Sequence, residues 1–181
     1  MRINTVDCAR KSKFSRRCEK CGAEIEPGMT YRYIEPRYGP KRYRCGDCPR
    51  WRPSEMTGSK LATAMAGQED AADALGALDL YVDADDVDSV VDDIRSILDD
   101  CAQTGDDCRD DYQDGFDNIP YNLQEGDVAQ QIQEKIDALE RWADDLRSFS
   151  PDAFGDDETP PNEYLESVVN DAQDLVDGLE A

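Results

Sequence analysis

Histidine is missing from the chain altogether. That absence excludes Ser-His-Asp and Cys-His catalysis, His-ligated zinc enzymes and Cys₂His₂ fingers. A glycine-rich phosphate loop is missing too. No apolar run approaches the length of a membrane span. The opening MRINTVDCARKSKFSRRC lacks the apolar core of a signal peptide. Seven cysteines in 181 residues are too few for a disulfide scaffold. The expectation is a soluble, cytoplasmic protein that is not an enzyme and makes no membrane contact.

Charge is plentiful and unevenly placed. Residues 1–60 hold 15 Lys or Arg and 7 Asp or Glu, a net of +8. Residues 61–181 hold 5 and 35, a net of −30. Opposed halves of this kind predict separate modules. The expected organisation is a basic N-terminal arm at 1–13, a cysteine module at 14–57 and an acidic helical region at 58–181. The acidity is built from 29 Asp and 13 Glu, with 6 Lys against 14 Arg. Excess Asp with scarce Lys resembles the proteins of salt-accumulating halophiles, whose carboxylate surfaces keep them dispersed at high ionic strength.

The strongest motif is Cys18-x-x-Cys21 with Cys45-x-x-Cys48. Two intervening residues let both thiolates of a knuckle reach one ion, and two knuckles complete a tetrahedral Cys₄ set. A redox CxxC would need one such motif opening a helix in a βαβ unit, which is not seen here. The expected cofactor is one structural Zn²⁺, held in a closed shell with no open position for water. It would stand in for the core that so short a segment cannot build. Between the knuckles, MTYRYIEP alternates as a strand, PRYGP supplies turn residues and KRYRC returns as a second strand. Gly22 and Gly46, each directly after a knuckle cysteine, suit an open turn. Cys101 and Cys108 read as core residues of a helix, and Cys8 as a spare thiol.

Basic and aromatic residues interleave around the knuckles. Arg and Lys neutralise phosphates, and aromatic faces can stack on unpaired bases. Arg32, Arg37, Lys41, Arg42 and Arg44 are the expected nucleic-acid contacts, with DNA or RNA as the partner. Strand alternation places Tyr31 and Tyr33 on one face with Arg32 pointing away, so some tyrosines are expected to form a small core.

Helices are expected at about 58–79, 84–117, 125–149 and 162–179. Val87, Val90, Val91, Ile94, Ile97, Leu98, Cys101, Cys108 and Tyr112 recur at three and four, the mark of one buried face. Val128, Ile132, Ile136, Leu139, Trp142 or Ala143, Leu146 and Phe149 do the same. The fold class expected is a small β-hairpin zinc-ribbon or treble-clef module plus an all-α acidic helical hairpin, coiled-coil-like, with a further C-terminal helix. Adjacent Asp pairs splay apart on a helix and form no carboxylate pocket.

RCEKCGAEIEPGMTYRYIEPRYGPKRYRCGDCPRWRPSEMTGSK, residues 17–60, resembles the zinc-finger segment of small accessory proteins of tailed double-stranded DNA viruses. The CxxCG knuckle, the Ile-x-x-Gly-x-x-Tyr run, the PRYG turn and the Arg-Pro-Ser-Glu after the second knuckle carry the likeness. It implies a viral accessory protein acting in the host-cell cytoplasm. The Ile-x-x-Gly pattern is also similar to treble-clef fingers of nick-sensing polymerases, which use a histidine ligand that this chain lacks. The function expected is therefore a zinc-binding accessory protein whose basic module contacts nucleic acid or a nucleoprotein complex. Two alternatives stand beside it: acidic helices that mimic nucleic acid against a host protein, and an oligomeric structural component.

Overall fold

The computed structural model describes residues 4–11 (backbone), 14–35, 40–155 and 159–179. The chain divides into two compact units, 1–58 and 59–181.

The first unit is antiparallel β-structure. Strands β1 (Asn4–Lys11), β4 (Thr30–Glu35) and β5 (Arg42–Cys45) form a three-stranded sheet in the order β1-β4-β5. A second pair joins β2 (Arg16–Arg17) to β3 (Glu24–Ile25). The segment expected as a basic arm thus contains a strand. NTVDCARK carries a weak strand pattern, and its pairing is supplied by the edge of β4, a long-range contact. Tyr31 pairs with Cys45, Arg32 with Arg44, Tyr33 with Tyr43 and Ile34 with Arg42. Paired residues share a face. Tyr31, Tyr33, Tyr43 and Cys45 therefore lie on one side of the sheet, and Arg32, Ile34, Arg42 and Arg44 on the other. The turn expected at PRYGP and the contact residue Arg37 fall largely outside the described residues. A single helical turn, α1 (Pro53–Met56), closes the unit. Pro53 sits at its first position, where a missing N–H costs nothing, and Glu55 reaches back to the Arg52 amide at 2.8 Å.

The second unit is helical, with α2 (Ala62–Leu75), α3 (Val87–Asp117), α4 (Asp127–Arg147) and α5 (Pro161–Asp177). The helix expected over 84–117 begins as a 3₁₀ turn at Ala84–Asp86 before α3 takes over. The direction of packing follows from pairs of contacts. Lys60 Nζ donates to the Asp111 carbonyl at 2.7 Å, while Gly67, further on, lies against Thr104, further back. So α2 runs antiparallel to α3. Gly105, 12 residues before the end of α3, meets the ring of Trp142, 15 residues after the start of α4, and a short connection joins the two, so these too are antiparallel. The last carbonyls of α5, orphaned by the helix end, are taken up by its neighbours. Gln68 Nε2 donates to Val176 O at 2.6 Å, and Trp142 Nε1 to Leu175 O at 3.0 Å.

All four helices share one core. The expected hairpin of α3 and α4 is thus part of a four-helix arrangement, in which the C-terminal helix α5 packs on α3, α2 and α4. The stripe on α3 is buried from Val87 to Tyr112, with Ile97 at its margin. Val128 departs from expectation: it is 68% exposed, in the first turn of α4, and Ala129 is buried in its place. On α2 the buried positions include Ala64, Gly67 and Ala71, while Met65 is only half-buried. Small residues bring that helix close, and a Cβ at Gly67 would run into Thr104. Cys101 and Cys108 belong to this core. Burial pushes the Cys101 thiol up to about 11 and raises Cys108 as well. No helix among the described residues is long and apolar enough to cross a membrane.

Candidate metal centre

Four sulfurs converge in the first unit. Cys18, Cys21, Cys45 and Cys48 place their Sγ atoms within 4.8 Å of one another, the one such group among the described residues. Cys18 Sγ lies 3.7 Å from Cys48 Sγ, and Cys21 Sγ 3.8 Å from Cys45 Sγ. These contacts are far too long for disulfides, whose S–S distance is about 2.05 Å. They match the sulfur–sulfur edge of about 3.8 Å that a tetrahedron with Zn–S bonds of about 2.3 Å requires. The donor set is all thiolate, which suits zinc.

Local backbone chemistry aims the ligands. After β2 the chain turns back so that Gly22 N–H donates to Cys18 O at 2.9 Å and Cys18 N–H to Ala23 O at 2.8 Å. Gly22 takes φ +74°, a left-handed backbone that side chains disfavour. Gly46 does not need that freedom; its N–H instead ties the second knuckle to Thr30 O at 3.1 Å. Cys18 is buried and Cys21 exposed, with Cys45 and Cys48 between. Burial pushes the Cys18 thiol up, but backbone amides of Cys21 and Cys45 outweigh it and leave Cys18 at about 6. Hydrogen bonding with Cys45, then burial, pushes Cys48 up to about 12. Cys18 is thus the sulfur more readily ionised, and Cys48 the one whose thiolate a cation would favour most.

Most of the arginines expected to touch nucleic acid are built into the frame. Arg44 is 2% exposed. Its Nη1 donates to the carbonyls of Pro49 (3.3 Å) and Arg50 (3.0 Å), its Nη2 pairs with Glu55 at 2.5 Å, and its plane lies 4.7 Å over the Trp51 ring. Arg42 forks onto both carboxylate oxygens of Glu19, at 2.8 and 2.7 Å, and donates to Glu55 O at 2.7 Å. Arg32 Nη1 donates to Cys48 O at 2.7 Å, bolting β4 to the second knuckle. The expectation that Arg44 is a surface contact is therefore corrected: strand register turns it inward, against Trp51 and Glu55. Glu19 and Trp51 carry no obvious motif and Glu55 ends the Arg-Pro-Ser-Glu run, yet all three complete this frame, with Trp51 Nε1 donating to Glu19 Oε1 at 2.7 Å. A carboxylate inside a basic cysteine knuckle is the one sequence signal that could have flagged Glu19.

Lys41 behaves differently. It is exposed, pairs with Glu35 at 3.0 Å and lies 5.1 Å over the Tyr33 ring. On the same side Arg16 lies 4.3 Å over the Tyr43 ring. Tyr31, Tyr33 and Tyr43 form a triangle with ring centroids 6.1, 6.1 and 6.2 Å apart. The fold and the site together define a chain with a four-sulfur centre able to hold a metal ion in one unit and a second, helical unit. No family model, curated protein or solved structure matches it.

Proposed function

We propose that the chain is a non-enzymatic zinc-binding accessory protein whose basic module contacts nucleic acid. The four sulfurs would hold one Zn²⁺ in a closed tetrahedral shell, where the metal supplies folding free energy and no open coordination position. The first ligand pair follows β2 and the second starts at the last residue of β5 and runs into the turn after it, which favours a zinc ribbon over a treble clef. The likeness of residues 17–60 to zinc fingers of tailed DNA viruses supports a viral setting for the same role.

One observation carries the nucleic-acid reading. With Arg32, Arg42 and Arg44 engaged internally, two cations, Arg16 and Lys41, still stand together on the tyrosine side of a segment with net charge +8. The test is binding of labelled single-stranded and duplex oligonucleotides to the zinc-loaded full chain, from low to molar KCl. Affinity that falls as salt rises is expected, because phosphate contacts release counterions. Absence of binding at every salt concentration defeats the reading.

A protein partner for the acidic helical unit is a second reading. Tyr121, Leu123 and Val128 are 88, 57 and 68% exposed within eight residues of chain at the α3–α4 connection. Loss of a co-purifying host protein on Tyr121→Ser with Leu123→Ser would support it; an unchanged set of bound proteins would count against it.

A further inference from the structure

The tyrosine side of the sheet has a shape of its own. Among the described residues, Arg16, Tyr31, Tyr33, Lys41 and Tyr43 line a recess of about 200 Å³. Its walls are almost wholly polar, although three of the five residues are aromatic. The reason is the ring geometry. Tyr31 and Tyr33 stand nearly parallel, 26° apart with ring centroids 6.1 Å apart, so each turns one face toward the other. The free faces of Tyr43 and Tyr33 are covered by the Arg16 guanidinium and the Lys41 ammonium. Cation–π contact of this kind leaves little ring surface on which a base could stack. The polar side-chain groups these residues own are three phenolic hydroxyls, one guanidinium and one ammonium. All five can donate hydrogen bonds, and two carry positive charge.

A cluster of donors with two cations and, among the described residues, no acid in its lining is complementary to a phosphate group. We propose that Arg16, Lys41, Tyr31, Tyr33 and Tyr43 form a phosphate-binding recess. This rests on the nucleic-acid reading for the source of the phosphate, a backbone phosphodiester, but the site itself is defined by phosphate chemistry. Glu35 is the built-in competitor. It holds Lys41 at 3.0 Å across a pair in which both side chains are more than two-fifths exposed. Exposed pairs of this kind are weak, so an incoming phosphate can displace the carboxylate.

The experiment uses the zinc-loaded full chain and two probes: inorganic phosphate, followed through the tyrosine ring resonances, and a fluorescent oligothymidylate, followed over a salt series. Arg16→Ala and Lys41→Ala are each expected to lower the slope of log affinity against log salt by about 1. Tyr33→Phe and Tyr43→Phe keep the rings and remove the hydroxyls, so weaker binding is expected of them as well. Glu35→Gln is expected to bind more tightly than wild type. Zinc content, measured for every variant, separates loss of the site from loss of the fold.

Each outcome decides something. Phosphate-induced shifts of the three tyrosines, reversed by the oligonucleotide, establish the recess and its source together. Shifts with phosphate but no oligonucleotide binding keep the recess and defeat the nucleic-acid reading. Oligonucleotide binding with unchanged slopes in Arg16→Ala and Lys41→Ala, or loss with Tyr33→Ala but not Tyr33→Phe, overturns the recess in favour of other phosphate contacts or base stacking. Response to neither probe overturns both.

Discussion

Arg44 and Glu55 are locked together behind the cysteine knuckles, Nη2 to Oε1 at 2.5 Å, with the guanidinium 2% exposed and seated over Trp51. Both belong to the frame that holds β5, the second knuckle and α1 in one piece.

Arg44→Ala should therefore act on stability. Breaking a buried ion pair costs about 3–5 kcal/mol, and because Glu55 keeps 27% of its side-chain surface the low end, about 3 kcal/mol, is expected. Lysine cannot reproduce the fork and the stacking over Trp51, so Arg44→Lys should recover little. Chemical denaturation of the zinc-loaded protein, monitored by tyrosine signals, measures this. A variant as stable as wild type would place Arg44 outside the frame.

The same pair gives a pH dependence. Burial raises the Glu55 carboxyl, but the Arg44 guanidinium and the Arg52 amide outweigh it and hold the group below its ordinary 4.5. A carboxyl depressed in the folded state contributes stability that is fully present above its unfolded value and is lost as pH falls through the folded one. The melting-temperature gap between wild type and Glu55→Gln should be widest near neutrality and close below pH 4.5. A gap that widens on acidification would reverse the sign and refute the assignment.

Metal removal should act on one unit only. All four ligands lie within residues 1–58, whereas α2 to α5 lie within 59–181. Chelation is expected to abolish the near-ultraviolet dichroism of Tyr31, Tyr33 and Tyr43 while most helical ellipticity persists. Cys18→Ser, Cys21→Ser, Cys45→Ser or Cys48→Ser should each lower zinc content below one per chain. Cys101→Ser and Cys108→Ser should leave it at one. Collapse of the helical signal on chelation would show that the two units depend on one metal.

Close helix packing supplies a fourth expectation. Ala is the better helix former by about 1 kcal/mol, yet a Cβ at Gly67 would clash with Thr104 Oγ1 and lie 2.9 Å from its Cβ. Overpacking of this sort costs about 1–3 kcal/mol, so Gly67→Ala should destabilise on balance, and Thr104→Ala in the same chain should recover part of the loss. A stabilised Gly67→Ala would mean that α2 and α3 separate more easily than their contact indicates.

How legible all this was in the sequence depended on the range of the interaction. The convergence of Cys18, Cys21, Cys45 and Cys48 could be read from spacing, since a knuckle is a local device. The face shared by Tyr31 and Tyr33 followed from alternation along one strand, and the α3 stripe from a three-four repeat. Arg42 and Arg44 could not be read, because their partners Glu19, Trp51 and Glu55 come from both sides of the hairpin and meet them only through the fold. Val128 misled because a periodic stripe does not say where a neighbouring helix stops covering it. The burial of Ala64, Gly67 and Ala71 had no apolar signal, and their role is set by how closely Thr104 approaches.

X-ray absorption at the zinc edge of the loaded full chain tests the metal centre most directly. Four sulfur neighbours at about 2.3 Å with no nitrogen or oxygen in the shell, at one zinc per chain, is the expected result. A shell containing oxygen or nitrogen, or zinc retained after Cys18→Ser with Cys45→Ser, would contradict a centre built from Cys18, Cys21, Cys45 and Cys48.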